Sequence, residues 1–143
     1  MRVRVPPELL KEITMKNLIK TIAKQFNLNV KFDKGVLTKK SEQLFKDKVN
    51  WRKISAYQTL SEEFIEQYHN KVCWDLISAY QILSEKFIKK HHDKVDWYFI
   101  SQYQTLSEKF IEKYNDKVYW VIISQYQTLS EEFIEKHQDK RAS

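Results

Sequence analysis

The sequence predicts an all-α protein: a short α-solenoid of four 23-residue helical-hairpin repeats carrying an N-terminal helical cap. Three observations predict it. First, Trp51, Trp74, Trp97 and Trp120 stand 23 residues apart. Each is followed by Ile at +3, Ser at +4, Tyr at +6, Gln at +7, Leu at +9, Ser at +10, Glu at +11, Phe at +13 and Ile at +14. A fixed period of roughly 20 to 50 residues marks a repeat architecture, whose units bury their apolar faces against one another. Second, one Gly and two Pro in 143 residues leave little material for tight β-turns, so short helices joined by polar turns are expected. Third, no segment of the unit alternates with period two, which argues against strands within the array.

The third copy serves for all. Trp97, Ile100 and Tyr103 fall at helical spacing and predict the inward stripe of a short first helix, with Asp96 at its positive start. Thr105-Leu106-Ser107-Glu108 fits a capping box, as do Thr59 to Glu62 and Thr128 to Glu131. In the second copy Ile82 replaces the Thr and leaves Ser84 as the alternative cap. A second helix follows, with Phe110, Ile111 and Tyr114 on its apolar side and Glu112 and Lys113 outward. Asn115-Asp116-Lys117 closes the unit as a turn. Known helical-pair repeats need about 33 to 47 residues, so one helix is expected to shrink to a turn or two with 3₁₀ character. Buried Trp and Tyr tips need hydrogen-bond partners, and Ser55, Gln58 and their equivalents are the expected ones, in preference to a polar ligand site.

The array, residues 49–143, follows a basic N-terminal region, residues 15–48. In that region 37–49 aligns with the second helix of the unit: Leu37 matches Leu60, Thr38 matches Ser61 and Phe45 matches Tyr68. Ser41 and Glu42 stand where the repeats have Phe and Ile, as expected of a terminal cap with a polar outer face. Upstream, Leu18, Ile19, Ile22 and Phe26 share one face of a helix over 15–26, with Lys16, Lys20 and Lys24 on another. It is expected to cap the array, the alternatives being partner docking and a membrane surface. Between the helices, 27–36 reads as an extended or turn segment bending at Asp33-Lys34-Gly35. Residues 1–14 read as a flexible arm or as an extension ahead of a true start at Met15. Arg2-Val3-Arg4-Val5-Pro6-Pro7 is what in-frame translation of a transfer RNA T-arm yields, which would place the gene just downstream of a transfer RNA gene.

Composition narrows the function classes. The net charge of +6 is uneven: residues 1–48 hold 12 Lys/Arg against 5 Asp/Glu, and residues 49–143 hold 13 against 14. Lys16, Lys20, Lys24, Lys31, Lys34, Lys39 and Lys40 are therefore the candidate nucleic-acid contacts, with solubility as the plain alternative. The single Cys73 permits no intrachain disulfide, and no apolar run approaches the roughly 18 residues of a membrane span. A cytoplasmic protein is expected. No phosphate-cradling, nucleophile-elbow or zinc motif occurs, and His91 and His137 occupy the slot held elsewhere by Tyr68 and Tyr114. That interchange suits a half-buried amphipathic contact, so no catalytic, cofactor or metal residue is assigned and a non-enzyme is expected.

The positions that vary between copies are the informative ones. Arg52 and Lys53, Asp75 and Leu76, Tyr98 and Phe99, and Val121 and Ile122 follow the four Trp residues. If the Trp, Ile, Tyr stripe faces inward, these pairs lie largely outward or at the edge, as a row, and their apolar members form a candidate partner-binding patch. Unselected drift between copies is the alternative, and Val121 and Ile122 could equally close the end of the array.

The unit K-V-x-W-x-x-I-S-x-Y-Q-x-L-S-E-x-F-I, over about residues 48–140, resembles tandem repeats of uncharacterised proteins of large DNA viruses and phages. The resemblance implies a viral or mobile-element origin and carries no activity with it. By analogy with small enzyme-free phage proteins, the expected partner is a host protein, including host or defence machinery.

Overall fold

The computed structural model describes residues 14–141. The readings made for residues 1–13, a flexible arm or an extension ahead of Met15, lie outside the described residues. The chain divides into two compact units, Met1–Cys73 and Trp74–Ser143. It is built of repeated helical hairpins with an N-terminal helical and β cap, the all-α solenoid class that the period predicted.

In the first unit, α1 (Met15–Gln25) opens with Thr14, whose side chain accepts from the Asn17 N–H. Thr14 thus belongs to the helix as its N-cap rather than to the preceding arm. Leu18, Ile19, Ile22 and Ala23 are buried while Lys16, Lys20 and Lys24 face solvent, which is the expected amphipathic division. The helix stops at Asn27, which takes φ 54. Leu28 N–H then donates to Ala23 O and Asn27 N–H to Lys24 O, closing a Schellman motif. The segment expected to be extended contains a small hairpin, β1 (Phe32–Asp33) paired antiparallel with β2 (Val36–Leu37). Lys34 and Gly35 make the bend at φ 51 and φ 81, the two positive values that a type I′ hairpin turn requires.

Next comes α2 (Lys39–Lys48), capped by Thr38, which accepts from Ser41 N–H as Ser61 does from Phe64 N–H in the following hairpin. The degenerate half-repeat is real, but its polar pair does not simply face solvent. Ser41 is buried and its Oγ accepts from Lys31 N–H at 2.7 Å, while Glu42 accepts from the Tyr68 hydroxyl at 3.0 Å. The cap is held on by polar groups placed where the repeats use Phe and Ile. The hairpin α3 (Trp51–Tyr57) and α4 (Glu62–Gln67) completes this unit. Phe45, Phe64 and Tyr68 form its aromatic core with the half-buried Trp51 against them.

The second unit repeats the hairpin three times: α5 (Trp74–Tyr80) and α6 (Glu85–Lys90), α7 (Trp97–Tyr103) and α8 (Glu108–Lys113), α9 (Trp120–Tyr126) and α10 (Glu131–Lys136). A short α11 (Gln138–Arg141) packs on α9. First helices stack directly, α7 against both α5 and α9. Both helices of the unit are α-helical, of seven and six residues, so the expected 3₁₀ segment is absent among the described residues. The 23 residues suffice because the connection is a brief extended stretch running from Gln104 at ψ 145 to Ser107 at ψ 154.

Caps differ from the sequence reading in one respect. The N-cap of every second helix is the Ser at +10, not the Thr at +8: Ser61, Ser84, Ser107 and Ser130 accept from Phe64, Phe87, Phe110 and Phe133 N–H. Ser84, expected only where Thr was missing, shows the rule for all. Freed from the capping box, the Glu at +11 reaches the next layer. Glu85 accepts from Ser107 N–H and Oγ–H, and Glu108 does the same from Ser130.

The Ser and Gln of the first helix are structural, but they do not bond the aromatic tips. Trp97 Nε1–H donates to His92 O and Trp120 Nε1–H to Asn115 O, both within 2.9 Å. Gln104 instead donates from Nε2 to Ser78 O and Gln81 O and accepts from Leu83 N–H at Oε1. Gln127 makes the same three bonds to Ser101 O, Gln104 O and Leu106 N–H. Each Gln therefore caps the C-terminus of the previous layer's helix, where carbonyls have no intrahelical partner. The Ser adds a fourth tie: Ser78 Oγ accepts from Asp96 N–H and Ser101 Oγ from Tyr119 N–H.

Candidate protein-binding face

The first helix turns about 100° per residue, which decides what faces out. Ile at +3 and Ser at +4 are wholly buried in the third copy, and Trp at 0 lies between them in angle. Tyr at +6 then falls about 110° from the centre of that buried arc, at the margin rather than within it. Tyr103 is 41% exposed and Tyr126 54%, so the expected inward stripe of Trp, Ile and Tyr is corrected at its third member. In the first unit Tyr57 is 70% exposed. Trp is half-buried, in the third copy stacked on Phe110 and tilted against Tyr114.

The variable pairs take the places predicted for them. Asp75, Tyr98 and Val121 are exposed, and Leu76, Phe99 and Ile122 are half-buried beside them. Residues at +2 and +6 are one helical turn apart, so Phe99 meets Tyr103 at 6.1 Å between ring centroids. Tyr98 meets Phe99 edge-on at 5.7 Å and Tyr119 at 5.4 Å, and Tyr103 continues to Tyr80 at 6.3 Å. Five aromatic rings thus run in an unbroken chain across α5, α7 and the start of α9. Sequence reasoning found two of the five. Tyr80 and Tyr103 were assigned inward because they follow Trp and Ile at i+6, a spacing that drifts to the edge of the stripe by its third member. Tyr119 sits one residue before Trp120, where Asn50 and Asp96 serve as side-chain N-caps in other copies. As Tyr it makes no cap bond and is 52% exposed.

Charge is nearly absent from this face. At +1, +2 and +6 of the three helices only Asp75 is charged, whereas each of α6, α8 and α10 carries four charged residues in six. The unit is therefore two-sided, aromatic along its first helices and ionic along its second. On the ionic side Glu112 accepts from Lys136 at 2.7 Å and contacts His137 Nε2 at 2.6 Å. Its carboxyl is held below the ordinary carboxylate value by the Lys136 hydrogen bond and then by His137.

Arg52 and Lys53 belong to the first unit, both exposed, and Lys53 Nζ lies 6.0 Å over the Phe26 ring at the end of α1. The seven lysines of the basic region are all exposed. Lys16 and Lys20 both lie over the Phe32 ring, at 5.3 and 5.8 Å, so part of their charge faces an aromatic of their own unit. The shared Tyr/His slot is half-buried, as expected, at Tyr114 and more deeply buried in the other copies: Tyr68, His91 and His137 are at most 6% exposed, packed on Trp and Phe. Burial pushes the Tyr68 hydroxyl well above its ordinary pKa, reinforced by the Glu42 carboxylate. Among the described residues no three His, Cys, Asp or Glu side chains are grouped to hold a metal ion, and no helix is long and apolar enough to cross a membrane.

No family model, no curated protein and no solved structure matches the chain.

Proposed function

We propose that this chain is a non-enzymatic protein-binding repeat module of phage or viral origin, acting on a host protein through the aromatic face of residues 74–126. The observation that carries the reading is the chain of rings Tyr80, Tyr103, Phe99, Tyr98 and Tyr119, of which Tyr103, Tyr98 and Tyr119 are exposed and Tyr80 and Phe99 half-buried. Aromatic side chains on a nearly uncharged face supply large contact area at low entropic cost, and such anchors dominate protein interfaces. The viral origin rests on the repeat resemblance alone.

The test is capture of host proteins by the purified chain. Tyr98→Ser with Phe99→Ser should weaken capture tens-fold or more, because each aromatic anchor is worth about 2 kcal/mol or above. Circular dichroism and melting should stay close to the parent, since both side chains lie outside the buried arc. A second reading, nucleic-acid binding by the basic region, is favoured by the exposure of all seven lysines. Lys20→Glu with Lys24→Glu, and binding measured at two salt concentrations, separates the two readings. Phosphate contacts predict steep loss of affinity with salt; an aromatic protein interface predicts little.

A further inference from the structure

The aromatic face also carries polar groups, and they bear on what it takes. Gln102 follows Tyr98 by one turn of α7, where the first two copies have the buried Ala56 and Ala79. It is half-buried, yet its carboxamide makes no hydrogen bond among the described residues. Gln104, two residues on, spends its carboxamide on three main-chain groups. The hydroxyls of Tyr98 and Tyr119 likewise bond nothing among the described residues, and both side chains are exposed. The face therefore offers hydrogen-bond donors set among rings, with Asp75 on α5 as its one charge.

Geometry narrows the ligand further. Tyr98 meets its neighbours at 81° and 74°, and Tyr103 meets both of its own at 37°. Rings set at such angles form ridges and notches, not the flat platform on which a nucleobase or a sugar stacks, and no cation stands by for a phosphate. The helix α7 stacks directly on α5 and α9, and packed helices lie about 8–10 Å apart axis to axis. A polyproline II helix rises about 3.1 Å per residue with three residues per turn, so one edge recurs about every 9 Å. A β-strand repeats a face about every 6.6 Å. Of the two, only the polyproline II chain stays in step with the layers.

We infer that the aromatic face takes a proline-rich segment in the polyproline II conformation, laid across α5, α7 and the start of α9, with a basic residue at the end beside Asp75. The inference rests on the reading of this face as the binding surface and names the chemistry of its partner. A polyproline II chain makes no internal hydrogen bonds, so its carbonyls are all open, and Pro brings no N–H that would need an acceptor. The Gln102 carboxamide and the Tyr98 and Tyr119 hydroxyls donate to those carbonyls. Pyrrolidine rings enter the notches between aromatic rings, the contact by which such preformed chains are recognised at little cost in ordering. Asp75 pairs with the flanking cation and sets against an acidic one.

The experiment titrates the full chain with a blocked peptide of one Arg followed by nine Pro and follows backbone and carboxamide N–H signals by NMR. Saturable shifts are expected at the Gln102 carboxamide and at the Tyr98, Phe99 and Tyr119 amides. Gln102→Ala, the residue of the first two copies, should weaken binding about two- to tenfold, the worth of one hydrogen bond, with an unchanged melting midpoint. Asp75→Lys should reverse the preference for the Arg-led peptide over one led by Glu. A Gly/Ser peptide led by the same Arg should bind at least about tenfold more weakly, since it is not preformed. No saturable shift at millimolar oligoproline, equal binding by the Gly/Ser peptide, unchanged affinity in Gln102→Ala, or tighter binding of an oligothymidylate at the same residues would each overturn the inference. Failure here and failure of the proposed function are told apart by host-protein capture. If oligoproline does not bind but Tyr98→Ser with Phe99→Ser still abolishes capture, this inference falls and the proposed function stands. If oligoproline binds and capture is indifferent to those changes, the proposed function falls instead.

Discussion

Gln104 is the most sensitive polar residue of the second unit. Its side chain is 3% exposed and makes three bonds of 2.7–3.0 Å to the main chain of the preceding layer. Gln104→Leu keeps the approximate volume and removes every polar atom beyond Cγ. The carbonyls of Ser78 and Gln81 and the Leu83 N–H, all on buried residues, then lose their partner. Each such stranded group costs about 1–3 kcal/mol, giving about 3–9 kcal/mol for three. Burying a Leu side chain returns about 1.5–3 kcal/mol, so the net loss should be about 2–6 kcal/mol. A domain holds only about 5–15 kcal/mol in all, and the change is correspondingly severe. Urea denaturation measures it: with a mid-range slope of about 2 kcal/mol/M, the midpoint should fall by about 1–3 M. The control is Gln125→Leu, the same chemical change at an exposed position of α9, which should stay within about 0.5 kcal/mol of the parent. If the two variants unfold at the same midpoint, Gln104 is not the tie between layers and the account of stacking given above is wrong.

Other substitutions probe the remaining corrections. Ser107→Ala should cost about 1–2 kcal/mol in thermal or urea unfolding, because it removes the cap on Phe110 N–H and one bond to Glu85, whereas Thr105→Ala should be near neutral; the reverse order would restore the capping box. Thr14→Ala should lower the melting midpoint by an amount equivalent to about 1 kcal/mol as the cap of α1 is lost. Gly35→Ala meets no atom within 4 Å, so its cost of about 1 kcal/mol comes from φ +81 alone, and Gly35→Asn should cost less on the same unfolding assay. Glu112 is ionised more readily in the folded chain than at its ordinary 4.5, so its contribution is present above that pH and is lost as pH falls through the lower folded value; Glu112→Gln should flatten the acid limb of the stability–pH curve there. An unchanged acid limb would show that the contact with Lys136 and His137 is not felt in solution.

The sequence by itself determined the repeat, its period and its helices. Trp, Ile, Phe and Ile recur at spacings that only helical faces satisfy, and Gly is too scarce for anything built on turns. It also placed the outward pairs, because a copied unit is free to differ where packing demands nothing, as at Tyr98 and Phe99. What it could not separate was identity imposed by burial from identity imposed by neighbours. Ser101 and Gln104 are invariant because they join one layer to the next through main-chain atoms, and main-chain partners leave no mark in a sequence. Tyr103 is invariant and exposed, and only its angle from the buried arc shows this. The choice between Thr105 and Ser107 as cap was likewise open, since both are hydroxyls two residues apart. The fold decided it when Glu108 turned from its own helix to Ser130 of the next layer, an attraction that exists only once the layers are stacked.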